Sequence, residues 1–156
     1  MGSSELDAAL GDAERILLDT SCLIAYHNPH EQVHSLARHL MGRVASDDDP
    51  LRGHYSTISA AELLVRPMRT HAAEVTHMQA FLAGYPHLHV LPADLTVAAQ
   101  AANVRAITRL NLADAFIIAT GLVYGCEAIV SNDEQWRRQL APLFSQFRWI
   151  YLGNYL

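Results

Sequence analysis

Four acids stand where apolar segments of the chain end or begin. Asp19 follows Leu17-Leu18, Glu62 precedes Leu63-Leu64, Asp114 precedes Phe116-Ile117, and Asp133 comes soon after Ile129-Val130. Carboxylates gathered in such surroundings repel and raise one another's pKa unless a cation sits among them. An anionic, oxygen-only donor set suits Mg²⁺ or Mn²⁺ rather than zinc. A divalent ion held there could polarise a phosphodiester and acidify water, and a spare carboxylate could orient that water as general base. Each acid also has a plainer role. Ser59-Ala-Ala-Glu62 reads as a capping box, Asn111-Leu-Ala-Asp114 as the same arrangement with a shorter acid, and Asp19 and Asp133 as caps of the helices after them. Capping accounts for the acids singly. It does not require four of them in the most apolar parts of the chain.

The elements that must position these acids alternate. Residues 1–14 read as a loose or weakly helical lead, and 15–156 as a single domain. Arg15 to Thr20 is a short apolar run of buried-strand type, followed by helix near Ser21–His27 and again from about His30 to Ala45. Arg52 to Thr57 reads as a second strand. Ser59–Met68 and Thr70–Ala83 read as helices, with Pro67 marking a break. His87–Leu91 is a third strand, after which Asp94 caps an Ala-rich helix running to about Arg109. Leu112–Tyr124 is a helix apolar almost all round, stopped by Gly125. Ala128–Val130 is a fourth strand, Glu134–Leu140 a short helix, and Phe147–Leu152 a fifth strand. Strands alternating with helices imply a three-layer α/β/α fold around a central, mainly parallel five-stranded sheet. Ligands of such sheets bind outside the carboxyl ends of the strands, and all four acids fall near strand-to-helix junctions that could converge on one such edge.

Composition narrows the chemistry further. Eleven cations stand against sixteen acids in 156 residues, for a net charge of −5, and every cation is arginine. Without lysine there is no Schiff-base chemistry and no P-loop lysine on a nucleotide phosphate. Setting the four site acids aside nearly balances the charge, which weakens the objection that nucleic-acid binders are usually basic. Arg66, Arg69 and Arg109 lie nearest the acids in sequence and are the candidates for substrate phosphate contacts. The first fifteen residues lack the apolar core of a signal peptide, and the apolar stretch Ala115–Tyr124 is too short to span a bilayer. Two distant cysteines, Cys22 and Cys126, fit small core residues in a reducing compartment. The expectation is a cytoplasmic protein.

Leu17-Leu-Asp-Thr-Ser21, Ile58-Ser-Ala-Ala-Glu-Leu63, Leu112-Ala-Asp-Ala-Phe-Ile-Ile-Ala119 and Ile129-Val-Ser-Asn-Asp133 resemble, in order and spacing, the motifs of the PIN-domain family. Length and layout look most like the VapC-type ribonuclease toxins of bacterial toxin–antitoxin pairs, and the resemblance runs from about Arg15 to Leu152. It implies a PIN-like fold and a Mg²⁺- or Mn²⁺-dependent endoribonuclease whose products carry 5′-phosphate and 3′-hydroxyl ends. Asp19, Glu62, Asp114 and Asp133 would be the family's four acids, both catalytic and metal-binding. Ser131 would be the hydroxyl residue two before the last acid, where the family more often has Thr, and Thr20 a further accessory hydroxyl. Trp136 stands where the family usually has Phe. The implied partners are an RNA substrate and a small antitoxin that inserts a segment, often with an Arg, into the acidic pocket. A homodimer is also in keeping with the family. The longer lead and the acidic Asp47–Asp49 loop depart from the pattern and bear on partners rather than chemistry.

Other signals carry less. His30 with His34, and His87 with His89 on one strand face, form pairs without a third ligand for zinc. Asp47–Asp49 reads as a solvated loop. Leu36, Leu40 and Val44 at helical spacing are core first, although such a stripe can also serve dimerisation. Trp136 and Trp149 read as core. The alternative function is a catalytically silent PIN-fold module that binds RNA or protein, against which the complete set of four acids counts. A haloacid-dehalogenase-type phosphatase would need a second Asp two residues after Asp19, where Ser21 stands, and normally a lysine.

Overall fold

The computed structural model describes residues 2–156. Five strands, β1 (Arg15–Leu18), β2 (Arg52–Ser56), β3 (Leu88–Leu91), β4 (Ala128–Ser131) and β5 (Arg148–Tyr151), form one sheet in the order β3-β2-β1-β4-β5. Every pairing is parallel. The helices are α1 (Gly2–Leu10), α2 (Thr20–His27), α3 (His34–Ala45), α4 (Thr57–Thr70), α5 (Ala72–Gly84), α6 (Leu95–Ile107), α7 (Leu112–Val123) and α8 (Trp136–Gln139). Among the described residues no single helix is long and apolar enough to cross a membrane.

Alternation along the central strands divides the apolar residues into two cores. Ile16 and Leu18 of β1, with Ala128 and Val130 of β4, face a cluster built from α1, α2 and α3 together with Leu63 and Leu82. Leu17 and Ile129, one residue out of phase, face α6, α7 and α8. Successive side chains of a strand point to opposite faces, so a continuous apolar run such as Ile16-Leu17-Leu18 needs cover on both sides. The result is the expected three-layer α/β/α fold. The α7 helix approaches the sheet closely at Gly121, where a Cβ would meet the Leu17 and Ile129 side chains at 3.1 and 3.3 Å and they would have to shift by a few tenths of an ångström. Gly125, at φ +69°, ends the helix as a left-handed residue.

Strand order reverses at β1. The chain moves outward to β2 and β3, then crosses under the second face through α6 and α7 to β4 on the other side. The crevice at such a reversal, at the carboxyl ends of the strands, is where open α/β sheets bind ligands. Here it lies between the ends of β1 and β4, immediately before Asp19 and Asp133.

Several local expectations change. The lead is a packed helix: Leu6 and Leu10 of α1 are fully buried, Asp7 bonds His39 Nε2 at 2.9 Å and Arg43 at 3.0 Å, and Arg148 donates to the Leu10 carbonyl. These partners lie far away in sequence, so the lead's own composition does not reveal them. The helix α4 runs through Pro67 and breaks only at the extended His71 (φ −162°). Pro67 is itself buried, in a helix that packs on α2 and α5, and such packing can offset the backbone bond a proline removes. The Leu36, Leu40 and Val44 stripe is core, 4%, 0% and 0% exposed, and is therefore no dimerisation surface. His87 stands outside β3 with φ +56° and pairs with Asp47 at 2.7 Å, so it shares no strand face with His89. Asp49 of the acidic loop is held by Arg43 at 2.7 Å rather than simply solvated. Cys22 and Cys126 are free and buried, as core residues should be.

Docking of α1 can be measured directly. Leu10→Ala should cost about 2–5 kcal/mol in denaturant-monitored unfolding, the range for a fully buried leucine. A loss below about 0.5 kcal/mol, the range of ordinary surface substitutions, would mean that the lead does not pack.

Candidate active site

The side chain of Asp19 follows from the β1–β4 register. Its backbone N–H donates to Val130 O at 2.9 Å, extending the ladder one residue beyond β1. The carboxylate caps α2, accepting from Ser21 N at 3.3 Å. It also accepts from Ser21 Oγ at 2.6 Å and from Ser131 Oγ at 2.9 Å, the latter reaching across from the end of β4. Asp19 is 3% exposed. Burial pushes its pKa up to about 6, with the charge of Asp114 adding to the rise and the serine hydrogen bonds opposing it.

The other acids are arranged around it with decreasing burial. Asp114 opens α7 and is half-buried. Asn111 Nδ2 donates to its carboxylate at 2.9 Å while Asn111 Oδ1 accepts from its backbone N–H at 2.8 Å. This is the expected reciprocal cap, except that the carboxylate takes the amide side chain rather than the backbone of Asn111. Burial raises the Asp114 pKa, the nearby Trp136 indole and Asn111 lower it, and the charges of Asp133 and Glu62 raise it. Asp133 makes its own turn, accepting from Gln135 N at 2.8 Å, while its N–H donates to Ser131 Oγ at 2.9 Å. Glu62 is exposed, and its Oε2 accepts from the Thr20 hydroxyl.

Each of the other three acids is thus in electrostatic reach of Asp114. The capping explanation fails for Glu62. Ser56, not Ser59, caps α4, accepting from Ile58 N at 3.2 Å. Ser59 lies inside the helix, fully buried, with its hydroxyl 2.9 Å from Thr20 Oγ1. A Ser-x-x-Glu spacing therefore reflects a buried Thr20–Ser59–Glu62 contact between α2 and α4, with Glu62 in the second helical turn. The expectation of four acids in apolar surroundings holds for Asp19 and in part for Asp114 and Asp133, but not for Glu62.

Sequence reasoning did not single out Ser21. Its hydroxyl donates to Asp19, accepts from Asn132 N at 2.8 Å and stands 3.3 Å from Ser131 Oγ. A hydroxyl two residues after a capping Asp, in Asp19-Thr20-Ser21, was the available signal, since that position faces the cap. Trp136 is core as expected, 1% exposed, but it also borders Asp114. Arg66 lines a cavity of about 660 Å³ that opens beside Glu62 between α2, α4 and α5. Arg109 lines a separate cavity near α8. Arg69 is exposed and lines neither.

The donor chemistry suits a hard divalent cation. All four groups are oxygen acids, and among the described residues none of them is ion-paired with an arginine or histidine. Closure is what the set lacks: among the described residues no three His, Cys, Asp or Glu side chains already converge tightly enough to hold a metal ion.

The family model of the PIN domain matches residues 16–139, which include all four acids. The chain belongs to the PIN-domain family. No curated protein sequence matches it. Its PIN fold is similar to that of DNA-bound VapBC from Salmonella typhimurium, at 19% identity and TM-score 0.64 over 88% of this chain and 98% of the other. VapBC2 of Rickettsia felis, bound to a DNA fragment from its promoter, aligns at 14% identity and TM-score 0.63, covering 87% and 97%. The sarcin-ricin loop cleaving toxin VapC20 of Mycobacterium tuberculosis aligns at 19% identity and TM-score 0.61, covering 79% and 93%.

Because the carboxyl of Asp19 is held well above its ordinary value, the folded state binds its proton more tightly than the unfolded chain does. Stability from this group is present below about pH 4 and lost as pH rises through about 6. Without divalent ions, wild type should lose on the order of 3 kcal/mol relative to Asp19→Asn between pH 4 and 7. Urea titrations of the two proteins at several pH values measure the difference, and parallel stability curves would contradict the environment assigned to Asp19.

Proposed function

We propose that this PIN domain is a divalent-metal-dependent endoribonuclease, the toxin member of a VapC-like toxin–antitoxin pair acting in the cytoplasm. The observation that carries the reading is that Asp19, Asp133 and Glu62 are each in electrostatic reach of Asp114 beside the strand-order reversal, with no cationic side chain among the described residues paired to any of them. When bound, Mg²⁺ or Mn²⁺ would supply Lewis acidity, polarising a phosphodiester and lowering the pKa of water.

The chain's own residues have separable tasks. Asp19, clamped by Ser21 and Ser131, is the most buried of the acids and the foremost metal-binding candidate. Asp133 is tied to the same Ser131 through its backbone, so the two acids share one support. Glu62 completes the set from α4, steadied by Thr20. Asp114, half-buried and raised in pKa, suits the task of orienting water and accepting its proton. Water would attack phosphorus, the bond from phosphorus to the 3′-oxygen would break, and that oxygen would leave with a proton, giving 5′-phosphate and 3′-hydroxyl ends. Arg66 is placed to meet a substrate phosphate near Glu62. The cavity beside Glu62, with Ile24, Leu63, Pro67 and Met78 among its walls, suits an apolar antitoxin segment whose arginine would reach the uncompensated acids. A homodimer would need a face other than the buried Leu36–Val44 stripe.

Cleavage of a mixed RNA pool by wild type and Asp19→Ala, purified identically, tests the reading. Cleavage with Mn²⁺ should stop in EDTA and fall at least 100-fold in the variant. Equal cutting by both proteins would assign the activity to a contaminant. If neither cuts, the domain is a nuclease of narrow substrate or a binding module without turnover, and divalent-ion titration decides between them.

A further inference from the structure

Among the described residues, seven of the eleven arginines make no ion pair or side-chain hydrogen bond: Arg38, Arg66, Arg69, Arg105, Arg109, Arg137 and Arg138. In a chain with sixteen acids, partners are plentiful, yet these guanidinium groups leave them unused. Two of them share a cavity. Arg109, in the connection between α6 and α7, and Arg138, in α8, line a pocket of about 380 Å³ with Thr108, Gln139 and Pro142. No carboxylate lines it.

The segments carrying this pair are anchored at the candidate active site. Two residues after Arg109, Asn111 holds Asp114 by two hydrogen bonds. Two residues before Arg138, the buried Trp136 borders the same carboxylate. The backbone segments that carry both arginines are therefore the ones that also hold Asp114. The carboxyl end of α6 offers Arg109 some compensation. It does not account for a second unpaired guanidinium lining the same small cavity. An anion seated there would accept from both, and guanidinium geometry matches the paired oxygens of a phosphate.

We propose that Arg109 and Arg138 form an accessory phosphate subsite, which holds a backbone phosphate of the RNA strand other than the one being cleaved. The inference rests on the nuclease reading of the adjacent acids and adds a second point of attachment for the strand. The subsite takes no part in the bond-breaking step. Its work is to set which phosphate reaches the acids, so it contributes to binding rather than to turnover.

The test uses the whole chain and a fluorescein-labelled single-stranded RNA of mixed sequence, with binding followed by anisotropy across a salt series in EDTA, where no metal-dependent cleavage occurs. Each phosphate contact to a single strand contributes about 0.7 to the slope of log affinity against log salt. The double variant Arg109→Gln/Arg138→Gln removes the one phosphate contact and should therefore flatten the slope by about 0.7 and weaken binding. Arg105→Gln/Arg137→Gln removes the same charge from the neighbouring exposed surface and should flatten it by less than half as much. All four side chains are exposed, and matching melting temperatures verify that the variants fold. Equal flattening by the two double variants, an unchanged slope in the first, or no RNA binding by wild type would each overturn the subsite. Metal-dependent cleavage by wild type is scored separately. A chain that cuts RNA while the first double variant keeps the wild-type slope loses the subsite alone, and a chain that binds as expected but never cuts loses the nuclease reading alone.

Discussion

Parallel pairing of β1 with β4 is the constraint on which the site depends. The register sets Leu18 opposite Val130, so the next residues out, Asp19 and Ser131, emerge side by side at the carboxyl edge of the sheet. Their side chains meet at 2.9 Å, and Ser131 passes the support on to the Asp133 backbone. Because the side-chain period of a strand is two, a slip of one residue would turn Asp19 away and exchange the two cores. The apolar alternation that prevents the slip, Ile16 and Leu18 to one face and Leu17 to the other, thus also aims the acid.

That placement works against stability. A buried carboxylate is costly unless it is paired or well hydrogen-bonded, and among the described residues Asp19 has two serine hydroxyls and a backbone N–H but no cation. Asp114 adds repulsion instead of relief. A fold selected for stability alone could fill the position with an uncharged residue. Anions kept unpaired in a crevice at the strand-order reversal make physical sense when a cation arrives from solution. The hydroxyl-rich shell then reads as a device that holds acids in place without neutralising them, which an arginine in the same position would do.

Much of this was legible because the signals are local. Asp94 and Asn111 cap their helices through bonds that span three residues, and Gly125 stops α7 through its positive φ. The central strands β1 and β4 emerge from apolar runs that need cover on two faces. What was hidden is tertiary. The α1 helix owes its place to His39, Arg43 and Arg148, and no property of residues 2–10 reveals those partners. Ser59 looked like a cap because its spacing to Glu62 is that of a capping box. The actual cap is Ser56, and Ser59 is buried against Thr20 from another helix. Pro67 signals a break in any isolated helix, and only burial against neighbouring helices lets α4 continue. The acids themselves were readable from motif order, but their unequal burial was not. It follows from where each helix starts relative to the sheet edge.

The central claim is that the four acids form one cation-binding centre. Calorimetric titration of Mn²⁺ into wild type and Asp114→Asn tests it most directly, because the substitution keeps the backbone N–H that Asn111 caps and changes only the charge. Wild type should bind the ion saturably, and the variant should fold yet bind at least ten-fold more weakly. Equal affinity in the two proteins, or no saturable binding by wild type, would contradict the account.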